Sequence, residues 1–162
     1  MQKVEQLKRH FPRSGRVEWI GIRPGKGLSV QEVLTVDAHK DRGLEGDKAG
    51  QRAGGKRQVT LIQFEYIPFI QSLLPDAKFS LPDLRRNIGV SGINLNALIN
   101  QQIQIGAAIL QVTGFCHPCS KIEQQLGYGV FNALRGHGGL TAKVEGSGRI
   151  AVGDSVQVVY ST

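Results

Sequence analysis

The chain has little sulfur and few aromatic side chains. Its 162 residues include two cysteines, one methionine and one tryptophan, and aromatic residues make up only 6% of the sequence. Two cysteines are too few for the disulfide frameworks that small secreted domains use in place of a large core. A chain of this length can bury an adequate hydrophobic core without such cross-links. The composition therefore predicts one globular domain.

Long apolar segments are also absent from the sequence. No run approaches the roughly 18 to 20 consecutive apolar residues that a membrane-spanning helix needs. The first ten residues are polar and basic, and they lack the apolar stretch and the small-residue cleavage site of a secretory signal. We therefore expect a cytoplasmic protein without membrane association, in a reducing environment that disfavours a structural disulfide.

Acidic residues are fewer than basic ones. The 20 lysines and arginines exceed the 13 acidic residues, which gives a formal net charge of +7 at pH 7. A basic surface favours anionic partners, such as a phosphate-bearing cofactor or a nucleic acid. Nucleic acid is the weaker interpretation, because the sequence has no interleaved aromatic residues and no recognisable nucleic-acid-binding motif.

Short apolar segments separated by glycine-rich turns dominate the chain. The pattern predicts strands at residues 17–22, 30–38, 57–62, 84–90, 102–105, 108–113, 141–144, 150–152 and 155–159. Short helices are predicted at residues 63–74, 121–126 and 130–134, the first of them kinked or divided by Pro68. We expect a mainly β, β-rich α+β fold, a closed or nearly closed barrel with a few short peripheral helices. Residues 1–16 are predicted to be a basic lead-in, and residues 17–162 a single domain.

Residues 39–56 form a long segment rich in glycine and charge. It contains five glycines and too few apolar residues for a core element. Loops of more than about 12 to 15 residues in compact domains are usually functional or disordered. We interpret this segment as a binding loop.

Both cysteines lie in one stretch, Phe115-Cys116-His117-Pro118-Cys119-Ser120. A Cys-x-x-Cys pair before a helix is typical of thiol–disulfide sites, where the helix N-terminus stabilises a thiolate. Those sites, however, open a long helix in a β-α-β unit, whereas this stretch lies late in a glycine-rich β chain. Structural zinc needs four ligands, and only one cysteine pair is present.

Two further interpretations of the cysteines remain open on the residues alone. One cysteine could act as a nucleophile, a sulfur carrier or a thiolate ligand of a soft metal, for which sulfur is a favoured donor. Alternatively, both cysteines could be small apolar residues that pack in the core. Spacing by itself does not choose between them.

The order of motifs along the chain resembles the MOSC domain, a module found at the C-terminus of molybdenum cofactor sulfurases and in stand-alone bacterial proteins. No single motif decides, but the ordered set is specific and covers roughly residues 15–160. In chain order the motifs are Gly43-Leu44-Glu45-Gly46-Asp47, Gly55-Lys56-Arg57-Gln58-Val59-Thr60-Leu61, Arg85-Arg86-Asn87-Ile88, Gly92-Ile93-Asn94-Leu95, Gly106, Val112-Thr113-Gly114, Pro118-Cys119, Gly136-His137-Gly138-Gly139, Gly148-Arg149-Ile150 and Gly153-Asp154.

The resemblance implies a compact, barrel-like fold that handles the molybdenum cofactor or activated sulfur. The functional cysteine of the family falls at Pro118-Cys119, so Cys119 inherits the role and Cys116 does not. In molybdenum-binding members this thiolate ligates the metal, and in the sulfur-carrier proposal it holds a persulfide. Cys119 is thus the expected catalytic residue and metal ligand, and the role of Cys116 stays open.

Cofactor-binding residues are expected at other motif positions. The pterin of the molybdenum cofactor carries a phosphate, for which arginines and glycine-rich backbone are suitable partners. Either Asp47 or His137 could orient the cofactor or a substrate, and His137 could carry a proton near neutral pH. The expected cofactor-binding residues are Arg57, Arg85, Asn87, Lys56, Asp47 and His137, with Arg86 as a further candidate.

Two functions follow from the resemblance, and the sequence leaves open whether the chain is itself an enzyme. In the first, the protein holds a molybdenum–pterin through Cys119 and reduces N-hydroxylated compounds, with electrons from a separate flavin or iron–sulfur protein. In the second, Cys119 carries a persulfide from a cysteine desulfurase to a metal–sulfur centre or to the molybdenum cofactor. No lysine motif for pyridoxal phosphate is visible, so that cofactor is expected only in a partner desulfurase. We expect a stand-alone member, and the sequence does not indicate its oligomeric state.

Overall fold

One sheet that closes on itself forms the centre of the protein, whose computed structural model describes residues 1–160. The strands are β1 (Gly15–Ile22), β2 (Gln31–Val33), β3 (Thr35–His39), β4 (Gly43–Leu44), β5 (Val59–Gln63), β6 (Ile88–Ser91), β7 (Gln102–Ile105), β8 (Ala108–Phe115), β9 (Leu140–Gly146), β10 (Gly148–Ala151) and β11 (Ser155–Val158). The helices are α1 (Val4–Leu7), α2 (Tyr66–Ser72), α3 (Ser120–Leu126) and α4 (Val130–Leu134), and 3₁₀ turns lie at Lys48–Gln51, Leu81–Leu84 and Leu95–Leu98.

Seven strands form the closed ring, in the order β11-β7-β8-β9-β5-β6-β1. Strand β1 closes it, because it pairs with β6 on one side and with β11 on the other, where Gly15 faces Val156. The pairing of β5 with β6 is parallel, and the other pairings in the ring are antiparallel. Closure removes the unpaired edges of an open sheet. Strand β2 continues outward from β1, and β10, β3 and β4 form a separate small sheet.

Apolar side chains fill the inside of the ring. Strand β8 shows the cause most clearly, because Ala108, Leu110 and Val112 are buried while the residues between them are only partly so. Side chains in a strand alternate between its two faces, so every second residue of β8 enters the core. Burial of each large aliphatic side chain contributes roughly 1.5 to 3 kcal/mol. The interior therefore supplies most of the hydrophobic stabilisation.

A second apolar cluster covers the outside of the barrel. Strand β5 is buried along its whole length, because Leu61 belongs to the inner core and Ile62 to the outer cluster. Helices α2 and α4 contribute the buried residues Ile70 and Leu134 to this outer cluster. Strand β5 is thus enclosed on both faces, and it brings the barrel and the helices together.

The predicted fold class is confirmed: the protein is mainly β, with a closed barrel and a few short helices. Strand β1 begins at Gly15, close to the predicted domain start, and residues 161 and 162 of the predicted domain lie outside the described residues. Across the described part of the chain, no helix is both long and apolar enough to span a membrane.

Three predicted elements differ from the structure. The predicted strand at 30–38 is two strands in different sheets, and Leu34 between them is 75% exposed. The strand predicted at 84–90 begins only at Ile88, because Arg85 has a left-handed backbone with a φ of 55° that cannot continue a strand. The helix predicted at 63–74 is shorter, and Pro68 does not divide it because it lies in the first turn, where its missing N–H costs no hydrogen bond.

The cysteine stretch packs against the turn Gly136-His137-Gly138-Gly139. The backbone N–H of Cys116 donates to the carbonyl of Gly139 at 2.8 Å. A Cβ at position 138 would collide with the carbonyl oxygen of Cys116, and one at position 139 with that of Leu61. Glycine is required at both positions because two backbones meet there.

Exchanging Gly139 for alanine should destabilise the protein much more than exchanging Gly136. Both glycines have positive φ, 96° and 80°, but the space around Gly136 is open. We expect Gly136→Ala to cost about 1 kcal/mol for backbone strain and Gly139→Ala roughly 3 kcal/mol, since overpacking is added. Urea unfolding of both variants measures the difference. Equal losses would contradict the close approach of β5 to this turn.

Candidate functional site

A groove of about 550 Å³ lies between the turn at residues 23–30, the segment 82–86 and helix α3. Four other clefts have smaller volumes, about 220 to 400 Å³. Cys119 lies in the wall of the groove. Six cationic side chains also line it: Arg23, Lys26, Lys48, Arg85, Arg86 and Lys121. The one acidic residue of the lining, Asp83, accepts hydrogen bonds from the backbone and hydroxyl of Ser80. The groove is therefore strongly positive.

The two cysteines differ in access. Cys119 is exposed and immediately precedes α3, where its carbonyl accepts the N–H of Ile122. Cys116 is only 5% exposed and packs against the Gly138 turn. Both cysteines are free. Only the Cys119 thiol is thus available to a molecule in the groove.

Arg86 connects the two loops that flank the cysteines. Its Nε donates to the carbonyl of Gly138 at 2.8 Å, and its Nη1 donates to that of Leu84 at 2.9 Å. Burial lowers the pKa of Arg86, and nearby Cys116 and Cys119 oppose this change. The side chain stays charged at neutral pH because an arginine pKa begins above about 12. Arg86 therefore places a fixed positive charge near both sulfurs.

Arg85 holds the opposite wall of the groove. Its Nη1 donates to the carbonyl of Leu28 at 2.6 Å, and its Nη2 donates to that of Gly25 at 3.3 Å. These bonds fix the turn that carries Lys26. Arg85 is in the groove, as a cofactor-binding residue would be, but two of its nitrogens already bind protein carbonyls.

Asp47 is buried and is the partner of Arg23, which lines the groove. Its Oδ1 accepts Arg23 Nε at 3.1 Å, and its Oδ2 accepts Arg23 Nη2 at 2.9 Å. Burial alone would raise the pKa of Asp47, but hydrogen bonds and charge from Arg23 outweigh it, so the pKa is lowered. Oδ2 also accepts the N–H of Ala49, which starts the 3₁₀ turn that brings Lys48 to the groove.

Asn87 completes the buried network. Its Nδ2 donates to the carbonyl of Gly21 and to Asp47 Oδ1, both at 3.0 Å, and its Oδ1 accepts the N–H of Thr60 at 3.0 Å. The side chain is fully buried. Protein groups thus occupy the polar atoms of Asn87 and Asp47, and these two residues position two of the groove's cations, Arg23 and Lys48. Direct cofactor contact by either residue stays a prediction.

Five of the predicted site residues do not line the groove, and two of these, Asp47 and Asn87, belong to the buried network. Lys56 and Arg57 are exposed on the segment before β5, although the charge of Arg57 reaches Arg86. The ring of His137 packs edge-on against Tyr66 and Phe69 of α2, at centroid distances of 4.8 and 5.1 Å. Its Nδ1 is buried and has no hydrogen-bond partner among residues 1–160. The structure therefore brings Cys119 together with Arg85, and places His137 against the outer cluster.

Sequence reasoning missed four cations of the groove: Arg23, Lys26, Lys48 and Lys121. Two of them had a usable signal in the sequence: Lys48 directly follows the motif residue Asp47, and Lys121 lies two residues after Cys119. Arg23 had none, because its partner Asp47 lies 24 residues further along the chain. Within the described residues, no three His, Cys, Asp or Glu side chains cluster in a way that could hold a metal ion.

Known proteins with the same fold resemble this chain. Residues 45–157 match the family described as MOSC domain. The YuaD protein from Bacillus subtilis is 20% identical, with a TM-score of 0.74 over 94% of this chain and 100% of that one. YiiM from Escherichia coli is 19% identical, with a TM-score of 0.71 over 93% of this chain and 72% of that one. A hypothetical protein is 17% identical, with a TM-score of 0.78 over 96% of this chain and 71% of that one. No curated protein matches the chain.

Replacing Asp47 with asparagine should destabilise the protein by about 3 kcal/mol near pH 7, because Arg23 loses its buried anion. The pKa of Asp47 is lowered in the folded chain. Its contribution is therefore complete above the unfolded value of about 4 and is lost as the pH falls through the folded value.

We accordingly expect the gap in unfolding free energy between the wild type and Asp47→Asn to shrink as the pH is lowered from about 6 to about 3. Urea titrations over this range measure it, with the exposed Asp76→Asn as control. A gap that stays constant across this range would argue against a stabilising Asp47 charge.

Proposed function

The chain belongs to the MOSC domain family. We propose that it binds a molybdenum–pterin cofactor through Cys119 and reduces N-hydroxylated compounds. The family is associated with the molybdenum cofactor. The observation that carries the proposal is one exposed thiol in a groove with six cationic side chains. Electrons would come from a separate flavin or iron–sulfur protein.

The residues of the groove fit the chemistry of this cofactor. Thiolates are favoured ligands of metals that bind sulfur well, and Cys119 supplies an accessible one. The groove volume of about 550 Å³ is within the range of about 300 to 1,000 Å³ usual for small-molecule sites. Arginine guanidinium groups suit a phosphate because they donate in a planar fork.

Two arginines of the groove keep donors for an anion. Arg23 Nη1 and Arg86 Nη2 donate to no protein acceptor among the described residues, while their other nitrogens hold the side chains in place. A restrained donor loses little side-chain entropy when it binds. These two residues would hold the phosphate of the cofactor, with Lys48 and Lys121 adding charge nearby.

The chemistry supplied by the bound metal would be removal of the oxygen atom from an N–O bond. The net change converts R₂N–OH to R₂NH and water, and consumes two electrons and two protons. The protein's own part is to hold the cofactor, offset its negative charge through Arg86 and keep Cys119 accessible. A separate protein must supply the two electrons, because the proposed cofactor transfers electrons to the substrate but is not their source.

Cys119→Ser should abolish molybdenum binding, with at least a tenfold loss of metal per chain after expression in a host with a working cofactor pathway. The substitution removes the sulfur atom that is proposed to ligate the metal. Elemental analysis with an ultraviolet–visible spectrum measures the loading, and the same variant should lose activity.

Cys116→Ser is the matched control, and we expect it to largely preserve loading and activity. Cys116 is buried, so thermal unfolding of this variant must be measured beside it, together with Cys116→Ala. Equal molybdenum in the wild type and Cys119→Ser would contradict metal ligation. Inactivation by both serine variants without unfolding would favour a disulfide instead.

A second candidate function is sulfur transfer, favoured by the exposure of Cys119 immediately before α3. The Cys119 thiolate would attack the outer sulfur of a persulfide on a cysteine desulfurase, and the donor cysteine would leave as a thiolate. This transfer moves one sulfur atom without net oxidation. Pyridoxal phosphate would belong to the desulfurase.

The carrier function predicts a mass increase of one sulfur atom after incubation with a cysteine desulfurase and cysteine. Intact-mass spectrometry with peptide mapping should locate the added sulfur on Cys119, and a reductant should remove it. Cys119→Ser should show no increase and Cys116→Ser should still show it. An unmodified wild type, with the desulfurase shown to be active, would refute the carrier function.

A further inference from the structure

The cations of the groove fall into two groups with different freedom. The three arginines are restrained, Arg23 by Asp47 and the other two by backbone carbonyls. The three lysines, Lys26, Lys48 and Lys121, are exposed, and none forms a salt bridge among the described residues. A ligand deep in the groove would therefore contact the arginines, and the lysines remain available at the mouth of the groove.

Lys48 stands close enough to Lys121 and to two arginines of the groove to be affected by their charges. Burial lowers the pKa of Lys48, and the charges of Arg23, Arg85 and Lys121 lower it further. Such crowding of like charges costs free energy unless an anion offsets it. The mouth of the groove is therefore built for a partner that brings several negative charges.

An aromatic side chain projects beside this mouth. Tyr128 is 98% exposed and lies two residues after Leu126, which lines the groove. Two residues span at most about 7 Å of chain, so Tyr128 stands next to the groove. Few aromatic residues of a folded protein are left so free, because burial of an aromatic ring contributes strongly to stability.

The loop that carries Tyr128 is held in place. Gly127 and Gly129 flank it with φ values of 119° and 90°, which favour glycine over other residues. The Glu123 carboxylate of α3 accepts the N–H groups of Gly129 and Phe131, each at 3.0 Å. Tyr128 is thus presented by a fixed loop between two helices.

An exposed tyrosine beside a cationic rim has the composition of a protein-binding surface. Tyrosine is enriched at the centres of protein interfaces, where it often supplies much of the affinity. Unpaired lysines steer an oppositely charged protein and fix its orientation. A second copy of this chain does not fit, because it would bring the same positive face and a net charge of +7.

We propose that Lys26, Lys48, Lys121 and Tyr128 form a docking surface for an acidic protein that serves Cys119. The nature of the delivered group rests on the proposed function: electrons for a reductase, or sulfur for a carrier. The docking surface itself does not depend on a bound metal. The partner should carry an acidic patch with an apolar recess that accepts the tyrosine ring.

Photo-crosslinking in the native host tests the surface directly. A p-benzoylphenylalanine in place of Tyr128 should capture one acidic protein, identified by mass spectrometry. The same group in place of Leu34, which is 75% exposed and outside the groove lining, is the control position and should not capture it.

The captured protein is then purified, and its affinity for this chain is measured by calorimetry at two salt concentrations. Tyr128→Ala should weaken binding by about tenfold or more. Lys26→Glu with Lys121→Glu should weaken it and reduce its dependence on salt. Leu34→Ala, and Lys40→Glu with Lys78→Glu, change equivalent exposed side chains outside the docking surface and should leave the affinity unchanged.

Several outcomes would overturn the docking surface. They are equal crosslinking from positions 128 and 34, an affinity unaffected by the Tyr128 and lysine variants, or capture of a second copy of this chain. Anionic vesicles or nucleic acid retained through the same residues, without a protein partner, would also overturn it. Molybdenum loading of Tyr128→Ala separates the two proposals, because it should equal that of the wild type whether or not the partner binds.

Discussion

The buried amide of Asn87 is the interaction on which the groove depends. It hydrogen-bonds to Gly21 on β1, to Thr60 on β5 and to Asp47 in the long loop before β5, while its own backbone leads into β6. Loss of the amide would remove a buried hydrogen bond from Gly21 and from Thr60, at a cost of about 1 to 3 kcal/mol apiece, and would take one of several donors from Asp47. One side chain thus sets the spacing of three strands and a loop.

The positions of two groove cations, Arg23 and Lys48, follow from this amide. Asp47 is fixed by Asn87 and in turn fixes Arg23 and the turn that carries Lys48. A surface loop rich in charge is therefore tied to the barrel by a buried carboxylate. Strong positive charge is tolerated in the groove because its arginines are held by acceptors that belong to the fold.

The fold could be predicted from the sequence because its causes are local. Alternating apolar residues, as in β8, and frequent glycines indicate short strands and tight turns, and Cys119 lies at a recognisable motif position. The pairing of Arg23 with Asp47 could not be predicted, because it joins residues that only the closed barrel brings together. The left-handed backbone of Arg85 could not be predicted from the sequence either, since arginine has no preference for this conformation. His137, a motif residue, packs on α2 because the aromatic residues that hold it belong to another element.

Closure of the ring by β1 and β11 has a consequence for the order of folding. Gly15 cannot meet Val156 until nearly the whole chain has left the ribosome. Until then β1 keeps an open edge, which other chains could pair with. The barrel must therefore complete late, after synthesis of its last strand, and contacts between residues so distant in sequence are slow to form. A nascent chain of this protein would gain from a chaperone that covers β1 while the ring is open.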